Sequence, residues 1–399
     1  MKIKSFFLCL CCLMLAMPVG FAQQEAAQDP VDAYVDKTFR SSKTVGGSVV
    51  ILSHGEVVYA RDYGYRDQRR RLPVDENTFF KTASLTKMAS GIGIMRLVDE
   101  GLLDLDQDIS QYFGYKIANG YYPKVPLTLR QLMSHTSSVS EGGGYSSIHR
   151  KVREMLDAKL DRRGNFNKAA PGSAYKYSNF GAGLAGAIAE SVTGQSINAV
   201  MQEKVFAPLG IEAAYSASLL STPENVSSQY KDGQLHRAAA GQIKKVYEDT
   251  ADPEMHFRTT MGDLWIRSRD MAKLAALLCA DGSYGDVRIL SEDSVQAMRQ
   301  EQMTLGKSVT GPSPYGLFVE HNDTLLPDRM VYGHQGMSQG AILNVYFEPD
   351  SQFVFVLFSN GGSMMRTNRI GKLARNLFGY FWEQYGQCLK RLERTSDRS

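Results

Sequence analysis

Ser84-Leu85-Thr86-Lys87 sets a hydroxyl and an amine three residues apart. On a helix that spacing stacks the two side chains on one face, one turn apart. Such a pair can do nucleophilic chemistry. Burial disfavours the charged form of a lysine, and a neutral amine can accept the proton of a serine that attacks an acyl carbon. Asn77–Phe80 reads as extended, and Met88, Ile92, Met95 and Val98 recur at helical spacing. The serine is therefore predicted at a helix N-terminus, where backbone N–H groups would face a developing oxyanion. Alone the tetrad is not selective. Ser173 with Lys176 and Ser228 with Lys231 repeat the pattern, and ordinary composition supplies roughly one or two such matches by chance. Read in isolation, Ser84 is equally a capping serine and Lys87 a surface lysine.

Three other groups could take part. Tyr177-Ser178-Asn179 follows Pro171-Gly172 and precedes a small-residue helix at Gly181–Ser191. A tyrosine hydroxyl can relay a proton, and an asparagine amide can hold a substrate carbonyl. His334-Gln335-Gly336 lies on a predicted strand, where a glycine would let a ligand approach the backbone closely. Gly336-Met337-Ser338-Gln339-Gly340 matches G-x-S-x-G in form. That elbow needs strand, turn, then helix, whereas Ala341–Phe347 reads as a strand, so Ser338 is set aside as a nucleophile.

These residues need a frame. Asp29 and Pro30 suit the cap and first position of a helix. Gly47–Leu52 and Glu56–Tyr63 flank Ser53-His54-Gly55 as a hairpin, and Ala341–Phe347 and Gln352–Phe358 form a second. A helix with Ile370, Leu373, Ala374, Leu377 and Phe381 on one face follows. The middle of the chain reads as short helices cut by Gly and Pro, Thr128–His135 and Ser196–Phe206 among them. Strands at both ends and helices between predict an α+β fold. It would be a mainly antiparallel sheet flanked by helices, formed by 29–101 and 281–386, with a helical insertion at 102–280. A cleft between the two would be the natural place for a site. Its walls are expected in the loops at Ser138–Arg150 and Gln229–Thr260. Tyr145, Tyr247 and Trp265 are candidates to line a pocket, and each is equally readable as core or surface.

The 399 residues are 43% hydrophobic and 22% charged, an ordinary globular balance. The formal charge is +3, and Lys2 and Lys4 carry two of those charges. Such a balance gives no electrostatic footprint for nucleic acid or an anionic membrane. Lys2 and Lys4, the apolar run Phe6–Met17 and Gly20-Phe21-Ala22 read as a signal peptide over 1–22, with a cut before Gln23. The run is short for a membrane span, and the small residues expected before a lipidated cysteine are missing at Cys12. An exported, periplasmic or secreted protein follows, with a polar linker at 23–28 and a basic tail at 387–399. Three of the five cysteines lie in the leader. Cys279, in an apolar stretch, reads as a buried thiol, and a bond to Cys388 stays open. Beyond the leader no CxxC, HExxH or His/Cys cluster is present, so neither metal nor cofactor is expected.

Taken together, the residues resemble the serine β-lactamase and penicillin-recognising family, in its branch of class C β-lactamases, D-aminopeptidases and esterases. That family carries S-x-x-K, then Y-x-N, then K-T-G or H-x-G. Here these are Ser84–Lys87, Tyr177–Asn179 and His334–Gly336, in that order. The phrases Thr82–Lys87, Leu127–Ser137, Phe206–Ile211 and Gly333–Gly340 are also similar to family text. The resemblance implies that Ser84 attacks, Lys87 is its base and Tyr177 passes protons to and from the leaving group. It implies that Asn179, His334 and Gly336 line the substrate site, with the N–H groups of Ser84 and Met337 as oxyanion hole. Where many β-lactamases and peptidases have Lys, this chain has His334. A mostly neutral imidazole pulls less on a substrate carboxylate, which favours esters, small amides or D-peptides over antibiotics. β-Lactam or peptidoglycan chemistry, acyl transfer to an alcohol or amine, and a slowly acylating sensor remain alternatives. The oligomeric state is not legible.

Overall fold

A computed structural model of the chain describes residues 29–386, apart from 143, 146–148, 161–162, 246, 303–314, 339, 363–365 and 368–369. The leader, the linker, the basic tail and Cys388 lie outside the described residues.

The chain opens on α1 (Pro30–Ser41), whose Val31 N–H donates to the Asp29 carboxylate at 2.7 Å. β1 (Gly46–Ser53), β2 (Glu56–Asp67) and β3 (Leu72–Pro73) follow. Then come α2 (Leu85–Asp99), α3 (Asn179–Thr193) and α4 (Ser268–Cys279). Towards the C-terminus lie β4 (Glu320–Asn322), β5 (Val331–Ser338), β6 (Ala341–Glu348), β7 (Phe353–Ser359) and α5 (Lys372–Phe381). One sheet has the order β4-β5-β6-β7-β1-β2-β3, with every neighbouring pair antiparallel. Both chain ends build it: Gly47 lies opposite Ser359 and Ser53 opposite Phe353.

The sheet buries both faces, which explains why GSVVIL has no polar alternation. Val50, Leu52, Leu343, Val345 and Val356 join the larger core with α2, α3 and α4. Their neighbours Val49, Ile51, Tyr346, Phe355 and Leu357 face α1 and α5, against Val35, Phe39, Leu377 and Phe381. The period of two sorts adjacent residues to opposite cores. α2 is different. Its residues from Leu85 to Met95 are all buried, on every side. A helix apolar all round belongs in the middle of a core, and a lysine in its first turn is buried with it.

The middle of the chain holds short helical pieces. Leu129–Met133 starts on a capping box of Thr128 and Gln131 and ends before His135, which turns to φ 59°. The stretch expected as one helix over Ser196–Phe206 is α-helical only at Ile197–Met201. It then widens to a π-helical turn at Gln202–Phe206, closed by Ala207 N–H on the Gln202 carbonyl at 3.0 Å. In the extended stretch before Ser84, Phe79 bridges Val226 and Phe80–Lys81 pairs with Trp265–Ile266, which also pairs with Ala213–Ala214. This small sheet ties the approach to Ser84 to the middle of the chain. Cys279 is a free, buried thiol, and burial raises its pKa to about 12.

Candidate active site

Ser84 caps α2 without spending its hydroxyl on a backbone N–H. The residue before it, Ala83, has φ 49°, a left-handed conformation that costs a non-glycine residue energy and marks a backbone held by its surroundings. The holding groups are Thr82 and Thr86. The Leu264 N–H donates to Thr86 Oγ1 at 3.2 Å, and the two threonine hydroxyls lie 3.0 Å apart. Thr82 Oγ1 donates back to the Leu264 carbonyl at 3.1 Å. This closed ring of donors and acceptors fixes the first turn of α2.

Lys87 is 0% exposed, and its amine donates to three oxygens. These are Ser84 Oγ at 3.1 Å, Asn179 Oδ1 at 2.9 Å and the Met261 carbonyl at 2.7 Å. Burial pushes the lysine down to about 7, against a smaller upward pull from Glu141. The Tyr177 hydroxyl neighbours Ser84, and its ring centroid is 5.1 Å from the lysine nitrogen. Burial raises the Tyr177 pKa well above the usual phenol value.

Tyr177 and Asn179 are delivered by His135. The His135 carbonyl accepts from Lys176 N–H at 2.8 Å, and its Nδ1 accepts from Ser178 N–H at 3.3 Å. Its ring lies 4.3 Å from that of Tyr177. Burial first, then Lys87 and His334, hold this imidazole neutral. Ser178 caps α3, so Asn179 is the first residue of that helix. Glu141 meets it from the loop above: Oε1 accepts from the Asn179 backbone N–H at 2.8 Å and from Nδ2 at 2.6 Å. The Tyr145 hydroxyl lies near Glu141 and Asn179.

Met261 comes close because α3 is made of small residues. A Cβ on Gly183 would sit 2.0 Å from the Phe257 carbonyl oxygen, and one on Gly186 2.4 Å from Thr260. The segment 257–262 therefore lies directly on α3 and presents the Met261 carbonyl to Lys87. A backbone carbonyl has no residue-type signal, but the GAGLAGA spacing is the trace it leaves in the sequence.

The third motif is placed differently from the expectation. His334 is 3% exposed, and its nitrogens are engaged by the Tyr315 hydroxyl at 2.8 Å and the Gln335 carbonyl at 2.7 Å. Burial, reinforced by Lys87, lowers it to about 3. It lies buried beside the site, with both ring nitrogens engaged by protein groups. Gly336 is required by the chain itself: a Cβ there would be 2.1 Å from the Thr82 carbonyl oxygen. What approaches this glycine is the turn before Ser84, not a ligand. β4 covers β5 only at Val331–Gly333, so among the described residues no strand covers the other edge of β5 from His334 to Ser338. Met337 lies on that edge, half-buried, and Ser338 ends the strand with β6 following. Tyr247 and Trp265 line a separate cleft of about 740 Å³, with Lys81 and Asp263. The other two S-x-x-K serines are elsewhere: Ser173 is exposed and bonded to the Ala170 carbonyl, and the buried Ser228 accepts from Ala239 N–H.

Comparison with known proteins agrees with this architecture. The family model described as Beta-lactamase matches residues 31–378. Esterase EstB of Burkholderia gladioli is 31% identical over 219 residues, which are 51% of this chain and 55% of that protein. The chain thus spans about half the length of that curated relative. The structure of EstCE1, a hydrolase with promiscuous acyltransferase activity, matches with TM-score 0.67 at 21% identity, over 88% of this chain and 97% of that one. D-amino acid amidase from Ochrobactrum anthropi SV3 matches with TM-score 0.65 at 20% identity, over 88% and 98%. At these identities the structural likeness speaks for the fold. With the family model spanning nearly every described residue, the chain belongs to the Beta-lactamase family.

Proposed function

We propose that this chain is an exported serine hydrolase that forms a covalent acyl-enzyme on esters, small amides or D-peptides. The observation that carries the reading is a fully buried lysine, lowered to about 7, with its amine 3.1 Å from the hydroxyl of a serine at a helix N-terminus. As the Ser84 Oγ–carbon bond forms, the hydroxyl proton passes to Lys87. The carbonyl oxygen becomes an oxyanion before the N–H groups of Ser84 and Met337. As the bond to the leaving group breaks, that group takes a proton by way of Tyr177. Water then attacks the ester on Ser84 by the same route in reverse.

Substrate class follows from the walls. His334 is buried and neutral, so it offers no cation to a substrate carboxylate, which argues against penicillins. The open edge of β5 suits an extended amide backbone. EstB is an esterase by name, and the amidase and the acyl-transferring hydrolase share the fold. Acyl transfer to an alcohol is therefore the second reading, with the same intermediate.

A panel of p-nitrophenyl esters, D-amino-acid amides and penicillins tests this, with an alcohol added in one arm. Wild type should turn over esters or amides, and Ser84→Ala should lose both turnover and fluorophosphonate labelling. Labelling that persists in Ser84→Ala ends the assignment. Efficient penicillin turnover ends the substrate reading. Export rests on the leader alone, and a mature N-terminus at Gln23 in protein recovered outside the cytoplasm is the result expected.

A further inference from the structure

The amine of Lys87 meets three oxygens, and as a base it has two N–H groups and one lone pair. The Met261 carbonyl, at 2.7 Å, can only accept, so it takes one N–H. Asn179 Oδ1, at 2.9 Å, takes the second. The lone pair is left for the third neighbour, the hydroxyl of Ser84 at 3.1 Å. An asparagine amide, however, can be turned end for end. Reversed, it would present Nδ2 to Lys87, and that donor would compete with Ser84 for the lone pair.

We infer that Glu141 is a positioning residue that prevents this reversal and so aims the Lys87 lone pair at Ser84. Its Oε1 accepts from Asn179 Nδ2 at 2.6 Å and from the Asn179 backbone N–H at 2.8 Å. A carboxylate only accepts, so a reversed amide would set oxygen against oxygen at that distance. The backbone N–H holds the carboxylate in place, and the N-terminus of α3 favours a negative charge there. The Ser84 O–H breaks, its proton binds the Lys87 lone pair, and the resulting ammonium has one N–H for each of Ser84 Oγ, Asn179 Oδ1 and the Met261 carbonyl. Nothing has to turn between the two states.

The inference rests on Ser84 and Lys87 acting as proposed, and its test separates the two. The groups facing Lys87 are Ser84 on its own helix, Asn179 on α3, the Met261 carbonyl and the ring of Tyr177. Beyond them lie Glu141 and the imidazoles of His135 and His334, which burial holds neutral. Of these groups Glu141 brings the negative charge, and that charge raises the lysine pKa. Fluorophosphonate labelling rates are measured from mildly acidic to mildly alkaline pH for wild type, E141A, E141Q and S84A. E141A should lower the alkaline plateau about ten- to a hundredfold, part of the roughly 10²–10⁴ that a positioned base supplies. E141Q keeps an acceptor oxygen for Asn179 and loses the charge. Its plateau should fall less, and its acid limb should move to lower pH. Equal plateaus in wild type and E141A overturn the inference while leaving the nucleophile in place. Labelling of S84A at the wild-type rate removes the reading beneath it. Circular dichroism shows whether E141A folds; if it does not, an unshifted acid limb in E141Q is the overturning result.

Discussion

Lys87 is the residue on which the proposed chemistry turns, and its burial makes two predictions. Only the neutral amine can accept a proton, so kcat/KM should rise with pH through an ionisation near 7. Lys87→Met should lose roughly 10²–10⁴ in rate at the plateau. The same group links stability to pH. Folded, it releases its proton near 7, and unfolded near the ordinary 10.5. Between those values the unfolded chain binds more protons, so stability should rise with pH across the window. Lys87→Met should abolish that rise, which denaturant melts at several pH values would show. Much of this centre was legible: the i, i+3 spacing set Ser84 at a helix start with Lys87 one turn along. The burial was not, because the tetrad has no sign of what surrounds it. It followed only once α2 was seen to be apolar on every side. Glu141 was hidden for another reason, since its partner Asn179 is far off in the chain.

At the scale of elements, the site depends on backbones that lie unusually close. β5 touches the turn before Ser84 at Gly336, and the segment 257–262 touches α3 at Gly183 and Gly186. Gly336→Ala would force a methyl group against the Thr82 carbonyl. Overpacking of this kind costs about 1–3 kcal/mol, and a displacement of about 1 Å at the proposed nucleophile can cost on the order of 10²-fold in rate. A lowered Tm together with slow labelling of Ser84 is the expected result, and labelling at the wild-type rate would contradict it. The hairpins were readable from Gly47–Leu52 and Ala341–Phe347 because strand propensity and turn chemistry are local. The inward turn of His334 was not readable. Which face of β5 a residue takes is local, but what waits on that face, here Tyr315, belongs to another part of the chain. The widening of the helix at Gln202 also left no local sign.

For the whole molecule, strands at both ends and helices between them were enough to anticipate one sheet built from both termini. Its closure has a consequence for how the protein reaches its native state. Ser53 meets Phe353 across β1 and β7, so about 300 residues must be made before the central pair of the sheet can form. Until then the β1–β2 hairpin has an unpaired apolar edge, a slow and aggregation-exposed arrangement. The ends themselves are neighbours, for the rings of Tyr34 in α1 and Tyr380 in α5 stack at 4.1 Å. Joining residue 386 to residue 29 by a short linker and opening the exposed turn at Asp232-Gly233 would bring β7 and β1 within about sixty residues of each other. Loop closure then becomes cheaper by about 1.4 kcal/mol. Stopped-flow refolding of this permutant should be roughly tenfold faster, with the labelling rate of Ser84 retained. The order in which this chain meets itself, and not the set of its contacts, would then be what limits its folding.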